Sequence, residues 1–346
     1  MEISKALVVE SVNHLKFVDL PKPKIGDFEV LFKTQYCSLC TVDRRTYKGT
    51  RKKKLPFLGG HECSGIIEEV GDGVVGVKAG DKAIFTSGYC MQCELDRTNR
   101  GTQCNKKSEM PPRAVFDGTI LGGGLSEYLA IPAWQVIKVP DDVDLKYACL
   151  TEPLACCIHS IRKSRIKIGE TVLIIGLGVM GYFQLKLALM QGARVIVSEP
   201  DPKRQKKALE SGAWAVLDPT QEDLAQRIHQ LTNGLGADVV INTIPASSIW
   251  MSCFDMLAPY GRLIAYSSQD EKKGIPVDFG QIHGKEFEII GTLNPNLDDN
   301  DAAVKLISYG MIDMEQVIDE IYPFDQGKQA FDKACEPGMY RVLISY

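Results

Sequence analysis

The run TVLIIGLGVMG, residues 171–181, decides the fold. A short β-prone segment leads into Gly176, Gly178 and Gly181, spaced G-x-G-x-x-G, and the helix-like GYFQLKLALMQG follows. In a chain with 31 glycines the spacing alone says little. Its context says more. A second strand-like run, RVIVSE, ends in Glu199, 18 residues past Gly181. Strand, glycine turn, helix, strand and acid together make the dinucleotide-binding fingerprint. Gly176 permits the tight turn, Gly178 lets backbone approach a pyrophosphate, and Gly181 lets helix and strand pack closely. The helix N-terminus offers unpaired N–H groups and a positive dipole end to phosphate. Val179 and Met180, between the last two glycines, count with this site, although Met180 reads equally well as helix packing. Glu199 accepts hydrogen bonds from ribose hydroxyls and repels a 2′-phosphate, which favours NAD over NADP. Arg204, close behind it, keeps NADP open.

Outward from this run the chain has two textures. From about 154 to 291, apolar runs of four to six residues (DVVINT, RLIAYSS and FEIIGTL among them) alternate with helical stretches such as KRQKKALESGA and EDLAQRIHQLT. That alternation predicts a parallel sheet covered on both faces by helices. Residues 1–153 instead carry short β-type runs broken by Gly, Pro and Asp, including EVLFKTQYC, GIIEEVG and EYLAIP. They predict an irregular β-rich domain. Residues 292–346 hold an amphipathic helix, then FDQGKQAFDKAC, and end on YRVLISY, a strand expected to return to the first domain.

Composition bounds the function. Apolar content of 45% is ample for packed cores, and a net charge of −4 gives no general attraction to nucleic acid or anionic membrane. No apolar run approaches the roughly 20 residues of a spanning helix, and the N-terminal stretch reads as a strand. Eleven cysteines, an odd number with several inside apolar runs, fit a reduced, cytoplasmic protein.

Three fragments bear on chemistry. QYCSLCTVD holds Cys37, Cys40 and Asp43; FLGGHECSG holds His61 and Glu62; LTEPLACCIHS holds Glu152. Each is weak alone. Together a thiolate, an imidazole and a carboxylate suit catalytic zinc, which keeps an open position. With these motifs and the glycine fingerprint, the chain resembles the zinc-dependent medium-chain alcohol and polyol dehydrogenases over essentially its whole length. The resemblance implies an α/β protein: a GroES-like catalytic domain (1–153 and 292–346) split around a Rossmann domain (154–291). It implies Zn²⁺ and NAD as cofactors and a small alcohol or ketone as substrate. A homodimer or homotetramer is the expected assembly. Cys40 matches the catalytic thiolate ligand, His61 the imidazole ligand, and Glu152 the position that supplies a ligand or near-ligand. Glu62 matches a carboxylate that binds zinc in some members and pairs with a C-terminal basic residue in others, here Arg341. Asp43 matches the acid that orients the histidine. Cys37 is expected to be packed.

Three features depart from the family pattern or stand outside it. Val42 occupies the place of a Ser or Thr that begins a proton relay; Tyr47, Lys48 or a water held by Glu152 are the candidate replacements. In SGYCMQCELDRTNRGTQC, Ser87 takes the first cysteine position of a structural-zinc lobe, leaving Cys90, Cys93 and Cys104. Asp96 or Glu94 completes the set, or the lobe has lost its metal. RKKK, 51–54, with Arg44 and Arg45, is either a solvated loop or a basic rim for a phosphorylated or acidic substrate. The leading function is NAD-dependent oxidation of a secondary alcohol of a polyol, sugar or cyclitol, phosphorylated or not. A metal-free reductase of the same fold and an NAD-binding pseudoenzyme are the competing readings.

Overall fold

A computed structural model describes residues 2–86, 88–106, 114–116, 119–121, 123–268 and 274–346. The chain divides into two compact units, Met1–Ala155 with Asn296–Tyr346, and Cys156–Pro295.

The first unit opens with an antiparallel pair, β1 (Ile3–Ser11) and β2 (His14–Pro21). It continues through β3 (Glu29–Ser38), α1 (Thr41–Tyr47), β4 (Glu62–Val70), β5 (Lys82–Phe85) and α2 (Glu94–Arg97). A hairpin of β6 (Ala114–Phe116) and β7 (Thr119–Leu121) follows, then β8 (Tyr128–Pro132), β9 (Val136–Lys138) and α3 (Leu145–Ala148). Helix α4 (Thr151–Ser164) carries the boundary between the units.

The second unit alternates strand and helix: β10 (Thr171–Ile175), α5 (Val179–Met190), β11 (Arg194–Ser198), α6 (Pro202–Glu210), β12 (Ala215–Leu217), α7 (Leu224–Leu231), β13 (Ala237–Asn242), α8 (Ser247–Ser252), β14 (Leu257–Ala265), α9 (Phe279–Lys285) and β15 (Glu288–Gly291). Back in the first unit come α10 (Leu297–Ser308), β16 (Ile318–Pro323), α11 (Gly327–Ala334) and β17 (Arg341–Ser345).

The six strands of the second unit are parallel, in the order β12-β11-β10-β13-β14-β15. Every residue of β10 is buried, as a strand covered on both faces requires. Winding starts at β10 and runs outward both ways, so the order reverses between β10 and β13. Ligands of such sheets bind at the carboxyl ends of the strands at this reversal. The glycine turn lies there. The expectation of a doubly wound parallel sheet is met.

The seven-stranded sheet of the first unit runs β16-β17-β3-β4-β5-β9, with β8 also on β3. Its core gathers Leu7, Phe32, Tyr47, Ile67, Phe331 and Val342. Tyr47 and Phe331 meet edge-on at 5.3 Å, fastening α1 to α11. Register matters for the site. Ser38 pairs with Glu62 across β3 and β4, and with Leu343 across β3 and β17. The last strand therefore places Arg341 within reach of Glu62.

Candidate functional site

Cys40 is the N-cap of α1. Its Sγ accepts the Val42 N–H at 3.1 Å, and its own N–H donates to Asp43 Oδ2 at 3.1 Å. The other Asp43 oxygen accepts the Gly60 N–H at 3.2 Å. Asp43, 1% exposed, thus ties together the backbone beside Cys40 and the backbone beside His61. The approach needs glycine: a Cβ on Gly59 would lie 2.0 Å from Asp43 Oδ1. The ligand-bearing atoms of Cys40, His61 and Glu62 all lie within 4.8 Å of one another.

Burial raises the Cys40 thiol, and the facing His61 pulls it partly back. Burial alone would depress His61. The charge and hydrogen bond of Cys40, then the charges of Glu152 and Asp43, instead lift it well above the usual imidazole range. The field at this imidazole therefore favours a cation. Thiolate, imidazole and carboxylate donors converging in such a field fit a divalent ion of zinc's character. Glu152, half-buried in the first turn of α4, acts electrostatically on His61 and Arg341 but is not within the 4.8 Å group.

Glu62 is clamped. Its Oε1 accepts Arg341 Nη2 at 2.7 Å, and its Oε2 accepts Arg341 Nε at 2.9 Å and Ser38 Oγ at 2.5 Å. Three of a carboxylate's roughly four acceptor directions are filled, which leaves one for a metal. Arg341 and Glu62 are 4% and 1% exposed. Burial opposes the guanidinium charge, but Glu62 overrides it and raises the Arg341 pKa. Ser38 is a partner that sequence reasoning missed. The strand register of Ser38 opposite Glu62 was its only signal.

Other residues fall as follows. Cys37 is fully buried in the core, opposite Cys63. Tyr47, a relay candidate by its place in the sequence, donates its hydroxyl to Asp332 at 2.8 Å, and Lys48 lies over the Tyr47 ring. Arg51, Lys52, Lys53 and Lys54 are all exposed, as a solvated loop requires.

In the second unit, Gly176 takes φ +88°, and a Cβ on Gly181 would lie 1.9 Å from the Gly176 carbonyl oxygen. Gly178 caps α5 and has open space where a side chain would be. Val179 is buried and Met180 half-buried in the first turn of α5. Glu199, 3% exposed at the end of β11, accepts the Leu177 N–H of the glycine turn at 2.7 Å and the Asp201 N–H at 3.0 Å. Arg204 Nη1 is 4.0 Å from the same carboxylate.

A second group of metal-type donors is Cys90, Cys93, Asp96 and Cys104. Cys90 Sγ accepts the N–H groups of Gln92 and Cys93, and Cys93 Sγ accepts that of Asp96, which pulls the Cys93 pKa down. Such N–H···S bonds favour thiolates. Asp96 Oδ2 takes the N–H groups of Cys90 and Met91, while Asp96 Oδ1 is buried without a hydrogen-bond partner. An orphaned carboxylate oxygen among three sulfurs fits a metal ion. Glu94, the other acid of this segment, is exposed and held by Arg100. Ser87 lies outside the described residues.

Residues 26–141 match the family model of the alcohol dehydrogenase GroES-like domain, and residues 179–309 match that of zinc-binding dehydrogenases. D-Arabitol-phosphate dehydrogenase of Enterococcus avium is 30% identical over 338 residues, covering 96% of this chain and 94% of that one. The chain belongs to the zinc-dependent medium-chain alcohol and polyol dehydrogenases. Sorbitol dehydrogenase of Halalkalibacterium halodurans is 28% identical to this dehydrogenase, over 99% of both chains. A proposed zinc-binding dehydrogenase from Sinorhizobium meliloti 1021, solved bound to NADP, superposes on it with a TM-score of 0.90 at 26% identity, over 100% of both chains. Membership makes this dehydrogenase an oxidoreductase of alcohol groups that uses zinc and NAD(P). No helix among the described residues is long and apolar enough to cross a membrane.

Proposed function

We propose that this chain transfers a hydride between a secondary alcohol of a polyol, sugar or cyclitol and NAD. Zinc would be held by Cys40 and His61, with Glu62 and Glu152 as the carboxylates that balance or complete the site. The observation that carries this reading is the convergence of Cys40, His61 and Glu62 within 4.8 Å. Zinc, when bound, would lower the pKa of the alcohol, and a bound nicotinamide would supply the hydride acceptor. The chain's own part is positioning. Asp43 holds the Cys40 and Gly60 backbones in place, and Arg341 with Ser38 fixes the Glu62 carboxylate. Both relatives carry a polyol in their names, arabitol phosphate in one and sorbitol in the other, which supports the substrate class. The test is a screen of polyols, inositols and sugars with NAD, following reduced nicotinamide, alongside metal analysis. A metal-free preparation that turns over at the full rate would sink the zinc role.

The preference for NAD rests on Glu199, whose buried carboxylate stands at the glycine turn. Glu199→Ala is expected to weaken NAD by about ten- to a hundredfold, the loss of one charge-assisted hydrogen bond, and to narrow discrimination against NADP. Titrating both cofactors checks this; an unchanged ratio removes Glu199 from the ribose.

Cys90, Cys93, Cys104 and Asp96 are proposed to hold a second, structural zinc. Wild-type protein should then carry two zinc ions per chain by elemental analysis, and Asp96→Ala should carry one. Equal zinc content in the two proteins would rule Asp96 out as a ligand. None of the eleven cysteines is joined in a disulfide, which supports a reducing, cytoplasmic setting. Strand β15 is an outer strand of its sheet, with Ile289 48% exposed, which supports pairing of that edge in a homodimer or homotetramer. Light scattering in solution tests the assembly.

A further inference from the structure

Beside Cys40 the first unit has a cavity of about 260 Å³, lined by Thr41, Arg44, Arg45, Lys48, Cys335 and Glu336 among others. Thr41, Arg44, Arg45 and Lys48 stand three, four and seven residues apart, so they share one face of α1 and its C-cap. Arg44 is held in place before any ligand arrives: Nη1 donates to Ala334 O at 2.9 Å and Nη2 to Thr41 Oγ1 at 3.0 Å. Glu336 is the one carboxylate in the lining, and it is paired at 2.9 Å with Lys333, which is not in the lining. The lining therefore carries three cations to one carboxylate, and two of the cations are guanidinium forks, whose planar donors match phosphate oxygens. Two threonines, Thr41 and Thr50, add hydroxyls. The residues that build it begin directly after the thiolate of the metal group, and one helical turn, about 5–6 Å, separates Cys40 from Arg44 along the helix axis.

We propose that this cavity receives the phosphate monoester of a phosphorylated polyol, with Arg44, Arg45 and Lys48 as its anchors. The proposal rests on the polyol dehydrogenase reading and narrows its substrate. The lining starts at Thr41, next in the chain to Cys40, so a phosphate held there would fix which hydroxyl is presented for oxidation. The exposed run 51–54 is not part of the lining.

The experiment compares kcat/KM of the zinc-loaded enzyme, with NAD, for D-arabitol and sorbitol against their terminal phosphate esters. Wild type is expected to favour an ester by about a hundredfold. Arg45→Ala and Lys48→Gln are each expected to cut that ratio about tenfold or more through KM for the ester, while Arg45→Lys retains most of it. Inorganic phosphate should inhibit the wild type competitively against the ester, and the variants less. Turnover of unphosphorylated polyols with no gain for the esters overturns this proposal and leaves the parent reading standing. A ratio untouched by the substitutions overturns it too. A rise in KM for NAD in place of the ester assigns the cations to the cofactor and likewise overturns it. Absence of turnover with every polyol and ester brings down the parent reading and this proposal together.

Discussion

Replacing Cys40 by alanine is expected to remove about 10³-fold or more of kcat/KM, because a bound metal supplies several kcal/mol of charge stabilisation to the reaction. Metal content should fall by one ion per chain, while NAD affinity, which we assign to the glycine turn and Glu199, should stay within about twofold. The backbone around the site should hold. Asp43 keeps its bonds to the N–H groups of residues 40 and 60, and among backbone groups the lost sulfur removes the acceptor for the Val42 N–H. Elemental analysis, NAD titration and steady-state kinetics on the same preparation separate the outcomes. Normal turnover would show that Cys40 is no ligand of the working metal. Loss of NAD binding along with activity would point to misfolding instead.

Arg341→Met is the second large effect. The guanidinium contributes two of the three hydrogen bonds on a carboxylate that is 1% exposed. Removing it leaves Glu62 buried and charged with only Ser38, a loss expected to cost about 3–5 kcal/mol. Replacing both members, Arg341→Met with Glu62→Leu, should restore most of that stability, since the pair's attraction largely offsets its own desolvation. The double variant should nonetheless remain impaired in metal content or turnover. Urea unfolding at fixed zinc, followed for the first unit's transition, measures this. A single variant as stable as wild type would show that water reaches Glu62 readily and that the clamp is weak.

Parts of this architecture were legible in residue order alone. The runs TVLII and RVIVS are short, apolar and bounded by glycine or charge, so their burial on both faces follows from pattern. The three glycines at 176–181 are dictated by contacts within a few residues of themselves, which is why a short motif captures them. Cys40 and His61 were accessible because their spacing carries a family resemblance. The rest depends on register and on long-range closure. Ser38 faces Glu62 only through the pairing of β3 with β4, and nothing in the letters near residue 38 announces it. Asp43, expected to orient a histidine, also uses its oxygens on two backbone N–H groups, those of residues 40 and 60, and that pairing had no signal in the sequence. Asp96 acquires meaning only when the loop folds so that one oxygen is used and the other left over. The basic residues divide in a similar way. RKKK is exposed, as its solvated-loop reading expected, while Arg44 and Arg45, read beside it as a basic rim, line a cavity with Lys48 because a helix gathers them.

The clamp joins residues 279 positions apart, on either side of an inserted unit that is itself continuous from Cys156 to Pro295. Such a layout imposes an order of assembly. The inserted unit holds every strand of its own sheet, whereas β3 lacks one neighbour until β17 arrives from beyond the insertion. Until then the thiol, the imidazole and the carboxylate sit beside an unfinished sheet edge. Metal capture therefore becomes a late event in biogenesis, and lesions in the C-terminal strand should surface first as failures of metallation.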